Sequence, residues 1–238
     1  MFATLSFRPT LLPTAAAVAG IIATALLGDW QLNRAAHKAE MEARIREGAN
    51  SSPVRIDGAA LVPQSILYHN VEVRGQFDSD RTVYLDNRVH QGRAGYQVVS
   101  PLKIAGSSRY VLIERGWVAA GPDRSRLPDV MTPAGEVEIT GTATPPNPPV
   151  FELSRQVQAG KLWQNLTVDR YRSQFALDLQ PTIVQQRNEL PDGLVRDWAL
   201  PTLGIERHRA YALQWFSMAA VILILYVVLN VRRKAPPA

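Results

Sequence analysis

Hydropathy divides the chain into three. An uncharged, alanine-rich run from Leu11 to Leu27 (LLPTAAAVAGIIATALL) and a second apolar run from Tyr211 to Val231 enclose a polar middle. Each run has roughly the 17 to 25 residues a helix needs to cross about 30 Å of hydrocarbon. From Trp30 to Gly48, the positions Trp30, Leu32, Ala36, Ala39 and Ala43 alternate with Arg34, Lys38, Glu42 and Arg46. This pattern predicts that the first helix continues beyond the membrane with i,i+4 charge support. The stretch Asn50-Ser51-Ser52-Pro53 ends it.

From Tyr68 onward the period shortens to two. YHNVEVRGQF, TVYLDN, GYQVVSPLKI, RYVLIERGWV and EVEITGTAT carry β-branched and aromatic residues in alternation, which predicts antiparallel strands. DNRVHQGRAG and AGSS read as the connecting turns. Several such strands in so short a stretch predict a sheet curled into a small barrel or sandwich. PPNPP at Pro145 to Pro149 cannot be a central strand. After it, KLWQNLTVDRYRSQF predicts a strand end and a short helix capped near Thr167, and PTIVQQRNEL a further strand. The expected fold class is an α+β membrane protein, in which two transmembrane helices flank an exported, antiparallel β-rich domain of barrel or sandwich type. Its divisions are a tail over 1–10, a membrane helix over 11–28, a helical extension over 29–50, the β-rich domain over 51–206, a second membrane helix over 207–231 and a basic tail over 232–238.

The first apolar run also fits a cleavable signal peptide. Its length, and its continuation in helical register into WQLNRAAHKAEMEARI, favour a retained signal anchor. Charge then sets orientation. The formal net charge is +5, yet the stretch between the apolar runs is nearly neutral, and the tails carry Arg8, Arg232, Arg233 and Lys234 with no acid. Short basic flanks stay inside, so both termini are expected in the cytoplasm and the β-rich domain in the periplasm of a bacterial inner membrane. A mitochondrial inner membrane is the alternative. The basic balance is thus a topology signal and not one for nucleic acid, which needs a clustered basic face.

Candidate chemistry is sparse. The chain has no cysteine, which removes disulfides, a thiolate copper site and covalent haem attachment. No nucleophile elbow, phosphate loop, zinc motif or dinucleotide fingerprint is present, and Asp78 and Asp80 sit in a turn-like QFDSDR, so no enzyme is expected. Of the four histidines, His37, His69 and His90 read as surface residues. His208 lies at the mouth of the second span, and helical geometry predicts His208, Tyr211, Trp215, Met218, Ile222 and Tyr226 along one stripe. Interfacial aromatics and arginines anchor membrane helices whatever their function. On the other helix, however, Trp30, Gln31 and Arg34 occupy the same membrane face, and Gly20, Thr24 and Gly28 at four-residue spacing permit close helix contact.

LLGDWQLNRAAHK, YLDNRVHQGRAGYQVVSPL, IERGWVAAG and HRAYALQWF, in this order, resemble the signature blocks of the Surfeit locus one family, assembly factors of haem-copper terminal oxidases. The resemblance runs from about Leu26 to Tyr226. It implies a membrane-anchored chaperone that transiently holds haem a for insertion into oxidase subunit I, with that subunit and other assembly or haem a synthesis factors as partners. It implies His208 as ligand to the haem iron and Trp215 packed against the macrocycle. Tyr211, Arg209, Arg34 and Trp30 complete the expected cofactor-binding set, the arginines serving the propionates. Glu206-Arg207 departs from the pair of asparagines common before this histidine. The alternative is a scaffold that binds subunit I without itself binding haem. For the central blocks the residues suggest a structural role, with Arg88 or Arg115 paired to Glu114 or Asp86, Gly92, Gly95 and Gly116 serving tight turns or packing, and Trp117 in the core.

Overall fold

The computed structural model describes residues 5–123, 126–147, 158–198 and 203–233. The chain separates into two compact units, Met1–Ala43 with Pro201–Ala238, and Arg44–Leu200.

The first unit is a helical hairpin. Strand β1 (Leu5–Phe7) leads into α1 (Leu11–Asn50), a helix of 40 residues that the chain sustains without a break because its first half is rich in alanine and leucine and its second half carries paired charges. Its start and the helix α4 (Ile205–Asn230) run antiparallel, and β1 pairs with β11 (Val231–Arg233) just beyond their ends. Both helices are long and apolar enough to cross a membrane, and only 11% and 6% of their most apolar windows is buried. That figure separates them from the core helix of a soluble domain. Leu11, Leu12, Leu213 and Leu229 are 89%, 82%, 70% and 75% exposed, an apolar surface suited to lipid and unsuited to water.

The second unit is a barrel with extra strands. After β2 (Val54–Ile56) and the single turn α2 (Pro63–Ile66) come β3 (Asn70–Phe77), β4 (Val83–His90), β5 (Arg93–Ile104), β6 (Tyr110–Ala119) and β7 (Glu136–Thr144). They are followed by short β8 (Gln158–Ala159) and β9 (Leu162–Trp163), then α3 (Val168–Phe175) and β10 (Leu179–Gln186). The order β3-β7-β10-β6-β5 closes on itself through β5–β3 pairing, while β2 extends one side and β4, β9 and β8 the other. Most pairings are antiparallel, but β10–β6, β2–β3 and β4–β9 are parallel. A parallel neighbour needs a crossover, and between β6 and β10 the segment containing α3 supplies it. Thr167 caps α3 by accepting the Arg170 amide at 3.1 Å.

Alternation sorts each strand's side chains. Val71, Val73, Leu102, Ile104, Val111, Ile113, Ile139 and Val184 point to one cluster inside the barrel. Leu112, Val99 and Ile183 point the other way, where Trp163, Val168 and Tyr171 cover them. The stretch DNRVHQGRAG is mostly strand and not turn. Asn87, at φ 55°, takes up a bulge between Leu85 and Arg88, and the reversal is confined to Gln91-Gly92, both at positive φ. This is the two-residue turn that suits hairpin twist.

Polar side chains complete the barrel. Arg115 follows Ile113 on the inner face and is fully buried, 4.9 Å over the Phe77 ring. It donates to Met131 O, Thr132 Oγ1 and, at 3.0 Å, to Asp192 Oδ2, while Arg196 Nη2 donates to both Asp192 oxygens at 2.8 and 2.6 Å. Arg115 therefore pairs with Asp192 and not with Glu114 or Asp86, a partner 77 residues away that no local pattern announces. Arg88 makes no ion pair among the described residues; its Nη2 donates to Gln164 O at 3.2 Å. Trp117 lies half-buried across Gly95 and donates from Nε1 to Arg88 O at 2.8 Å, and a Cβ on Gly95 would meet Val118 O at 2.2 Å. Glu114 sits beside Gln185, which donates to it at 3.0 Å; burial raises its pKa, against the pull of that hydrogen bond and of the Arg88 charge.

Asp192→Ala leaves the buried Arg115 without a carboxylate and Arg196 with only the exposed Glu189, and is expected to destabilise the domain by about 3–5 kcal/mol, read as a fall in the urea midpoint of tryptophan fluorescence. The folded-state pKa of Glu114 lies above its unfolded value, so its contribution is most favourable below the ordinary carboxylate range and is lost as pH rises through the raised value. Glu114→Gln is expected to flatten that fall, measured as unfolding free energy against pH.

Candidate functional site

The two helices of the first unit meet along a narrow seam. On α1 the half-buried or buried positions recur as Thr14, Ala17, Gly20, Thr24, Gly28, Gln31 and Ala35, and on α4 as His208, Ala212, Trp215, Ala219, Ile222 and Tyr226. Spacings of three and four residues keep one face of each helix turned to the other. Small residues set the distance. Ala35 and Ala212 are 3% and 1% exposed, and a Cβ on Gly28 or Gly20 would meet Phe216 at 2.8 Å or Ile222 at 3.3 Å. Thr24 returns its hydroxyl to its own helix, donating to Gly20 O at 2.8 Å. At one end of the seam Thr14 Oγ1 and Tyr226 OH are 2.8 Å apart. At the other, His208 Nδ1 and Gln31 Oε1 are 2.7 Å apart.

The imidazole is therefore held from one side. Nδ1 is engaged by Gln31, and Nε2 has no hydrogen bond to any described residue. The charged groups that act on the ring are Lys38, Arg34 and Arg207, all cations. Trp215, two turns along α4, is half-buried on the same seam. An imidazole with one nitrogen free of hydrogen bonds to described residues, an indole on the same face and cations near its polar end are groups that can hold a flat, anionic, metal-centred ligand.

The remaining candidates lie outside the seam. Tyr211 and Met218, at 46% and 37% exposure, stand to one side of it, and the contacting positions are the alanines one residue further on, Ala212 and Ala219. The expected stripe thus holds at His208, Trp215, Ile222 and Tyr226 and fails at Tyr211 and Met218, because a close seam admits small residues where the even 3.6-residue count places large ones. Trp30 is 57% exposed and Arg34 exposed, flanking Gln31 on α1. Arg209 donates to Glu206 at 2.9 Å, both side chains being well exposed. Gln31 was not among the expected ligand-binding residues. Its signal lies three residues after Gly28 and four before Ala35, on the small-residue register of α1.

Of the other histidines, His37 belongs to the helical unit and His69 and His90 to the barrel unit. His37 is exposed on α1, His69 Nδ1 lies 3.2 Å from Ser51 Oγ, and His90 stands 5.1 Å from the Trp117 ring. Among the described residues no cluster of three or more histidine or acidic side chains is arranged to hold a metal ion.

Comparison with known proteins covers the same span. The model of the SURF1 family matches residues 18–220. A SURF1-like protein of Rickettsia conorii is 26% identical over 218 residues, which cover 88% of this chain and 87% of the relative. Surfeit locus protein 1 of Rattus norvegicus is 23% identical over 226 residues, covering 87% and 72%, and that of Xenopus tropicalis is 24% identical over 243 residues, covering 90% and 74%. The matched region takes in the barrel, most of α1 and the first part of α4, with Gln31, His208 and Trp215, and the chain belongs to the SURF1 family.

Proposed function

We propose that this protein is a membrane-anchored assembly factor for a haem-copper terminal oxidase, which holds haem a transiently and delivers it to subunit I. The observation that carries the reading is the open Nε2 of His208 on a helix seam shared with Trp215. Haem supplies an iron that takes an axial imidazole and propionates that take cations. His208 would be the axial ligand, Trp215 would lie against the ring, and Arg34 and Arg207 would take the propionates. Arg209 serves Glu206 in this arrangement and is a weaker candidate for that task. Tyr211 and Trp30, exposed beside the seam, would widen the apolar surface that the macrocycle meets. The partners on this reading are subunit I and the factors that make or carry haem a.

The same reading has both tails in the cytoplasm and the barrel in the periplasm of a bacterial inner membrane, supported by the basic Arg8, Arg232 and Arg233 in and beside the paired strands β1 and β11 at one end of the helical hairpin.

Detergent-purified protein produced alongside haem a synthesis is expected to show a Soret band, and His208→Ala to lose at least about nine-tenths of it while keeping its circular dichroism spectrum, since an axial ligand contributes at least as much as the outer-shell partners worth 10–100-fold. Wild-type protein that never takes up haem would turn the assignment to a scaffold on subunit I. Orientation is read separately. The chain has no cysteine, so Ser108→Cys and Pro237→Cys each give a single thiol. A membrane-impermeant maleimide applied to cells with a permeabilised outer membrane is expected to label the first, and the second only after the inner membrane is opened.

A further inference from the structure

Which nitrogen of an imidazole is free depends on what the other one touches. For His208 the described surroundings offer few acceptors. Lys38, Arg34 and Arg207 are donors only. Glu206 is taken by Arg209 at 2.9 Å, and Asp29 accepts from Asn33 at 3.0 Å. Gln31 Oε1, at 2.7 Å from Nδ1, is a carbonyl oxygen and can only accept. With that oxygen as its partner, Nδ1 is the nitrogen suited to carry the proton when the ring is neutral, which leaves the lone pair on Nε2. Ala35 lies one turn away from Gln31 on α1, and Ala212 one turn from His208 on α4, both buried. With small residues on either side the helices stay close and both polar side chains are confined.

We propose that Gln31 is the positioning residue of this site: it fixes His208 as the Nδ1–H tautomer and so presents Nε2 as the free ligand nitrogen. The inference rests on the haem-carrier reading for its purpose, but its physical content belongs to the protein without haem. A hydrogen-bond acceptor on the far nitrogen orients a ligating ring and raises its basicity, and loss of such a partner costs about 10–100-fold in metal affinity.

The test uses full-length protein in lipid nanodiscs, with histidine labelled by nitrogen-15 and the His208 signals identified by their loss in His208→Ala. At a pH where the ring is neutral, the haem-free wild type is expected to show a protonated Nδ1 and an unprotonated Nε2. Gln31→Met keeps the length and removes the acceptor; the proton is expected to move to Nε2 in a substantial fraction of molecules. Hemin affinity is expected to fall by at least about tenfold. Gln31→Glu restores an acceptor and is expected to keep both the Nδ1–H form and the affinity, with a more negative reduction potential of the bound haem, because a carboxylate gives the ring imidazolate character. An Nε2–H ring in the wild type, or an unchanged tautomer in Gln31→Met, overturns the proposal. Hemin bound alike by wild type and Gln31→Met, with the tautomer unchanged, leaves the carrier reading in place and removes Gln31 from it. A tautomer that follows Gln31 in protein that takes up no hemin does the reverse: positioning stands, and the carrier reading falls.

Discussion

In a bilayer, water no longer drives apolar helices together, since a lipid tail is as good a neighbour as a leucine. Whatever holds α1 against α4 has to come from close contact and from the few polar bonds that lipid cannot supply. The seam provides both. Gly20, Gly28, Ala35, Ala212 and Ala219 bring the backbones near enough for dispersion to act over many atoms. Thr14 with Tyr226 and Gln31 with His208 close the two ends. Interhelical hydrogen bonds in membranes contribute about 0.6–2 kcal/mol each, so neither bond alone sets the association. The imidazole that would serve a ligand is thus also part of the joint, and its orientation cannot be loosened without disturbing the packing around it.

The barrel rests on a different balance. With no disulfide, its stability comes from two apolar clusters on opposite faces of one sheet, a cylinder filled by aliphatic side chains and an outer layer of Trp163, Tyr171 and Phe175 on the strands. Inside this it keeps Arg115, Asp192 and Arg196, charges whose removal from water costs more than their attraction commonly returns. Arg115 joins β6 to the 128–132 and 189–196 stretches, neither of which is regular structure. A buried ion cluster that links loops to a strand specifies which loop conformation is native, since any other leaves a charge unpaired.

Much of this architecture was readable in the sequence because the signals are periodic. The two apolar runs, the period-two strands from Tyr68 and the Thr167 cap all correspond to elements of the structure. The strand hidden in DNRVH was missed because Asn87 breaks the alternation in order to form a bulge, and a bulge in sequence looks like a turn. Barrel closure through β3 and β5, the parallel seam of β6 and β10, and the pairing of Arg115 with Asp192 join positions far apart in the chain, which no local pattern reports. At the helix mouth, His208 and Trp215 lie on the stripe expected of them. Tyr211 does not, since side-chain size and not the angular count decides which residue enters a tight helix contact. Gln31 was legible as a position and not as a role: a neutral amide carries no sign of its task until its neighbour is known.

Gln31 and His208 are 177 residues apart in the chain. With the barrel placed in the periplasm as proposed, the first helix would enter the membrane long before the second exists, and the whole intervening domain would have to pass across before the partners could meet. Until then α1 presents its glycine and alanine face, with one unmatched amide, to lipid or to other membrane proteins. On the proposed topology the imidazole site would come into being last, as the closure of a loop that spans the whole barrel, so a molecule with a complete site would also be one whose translocation is finished.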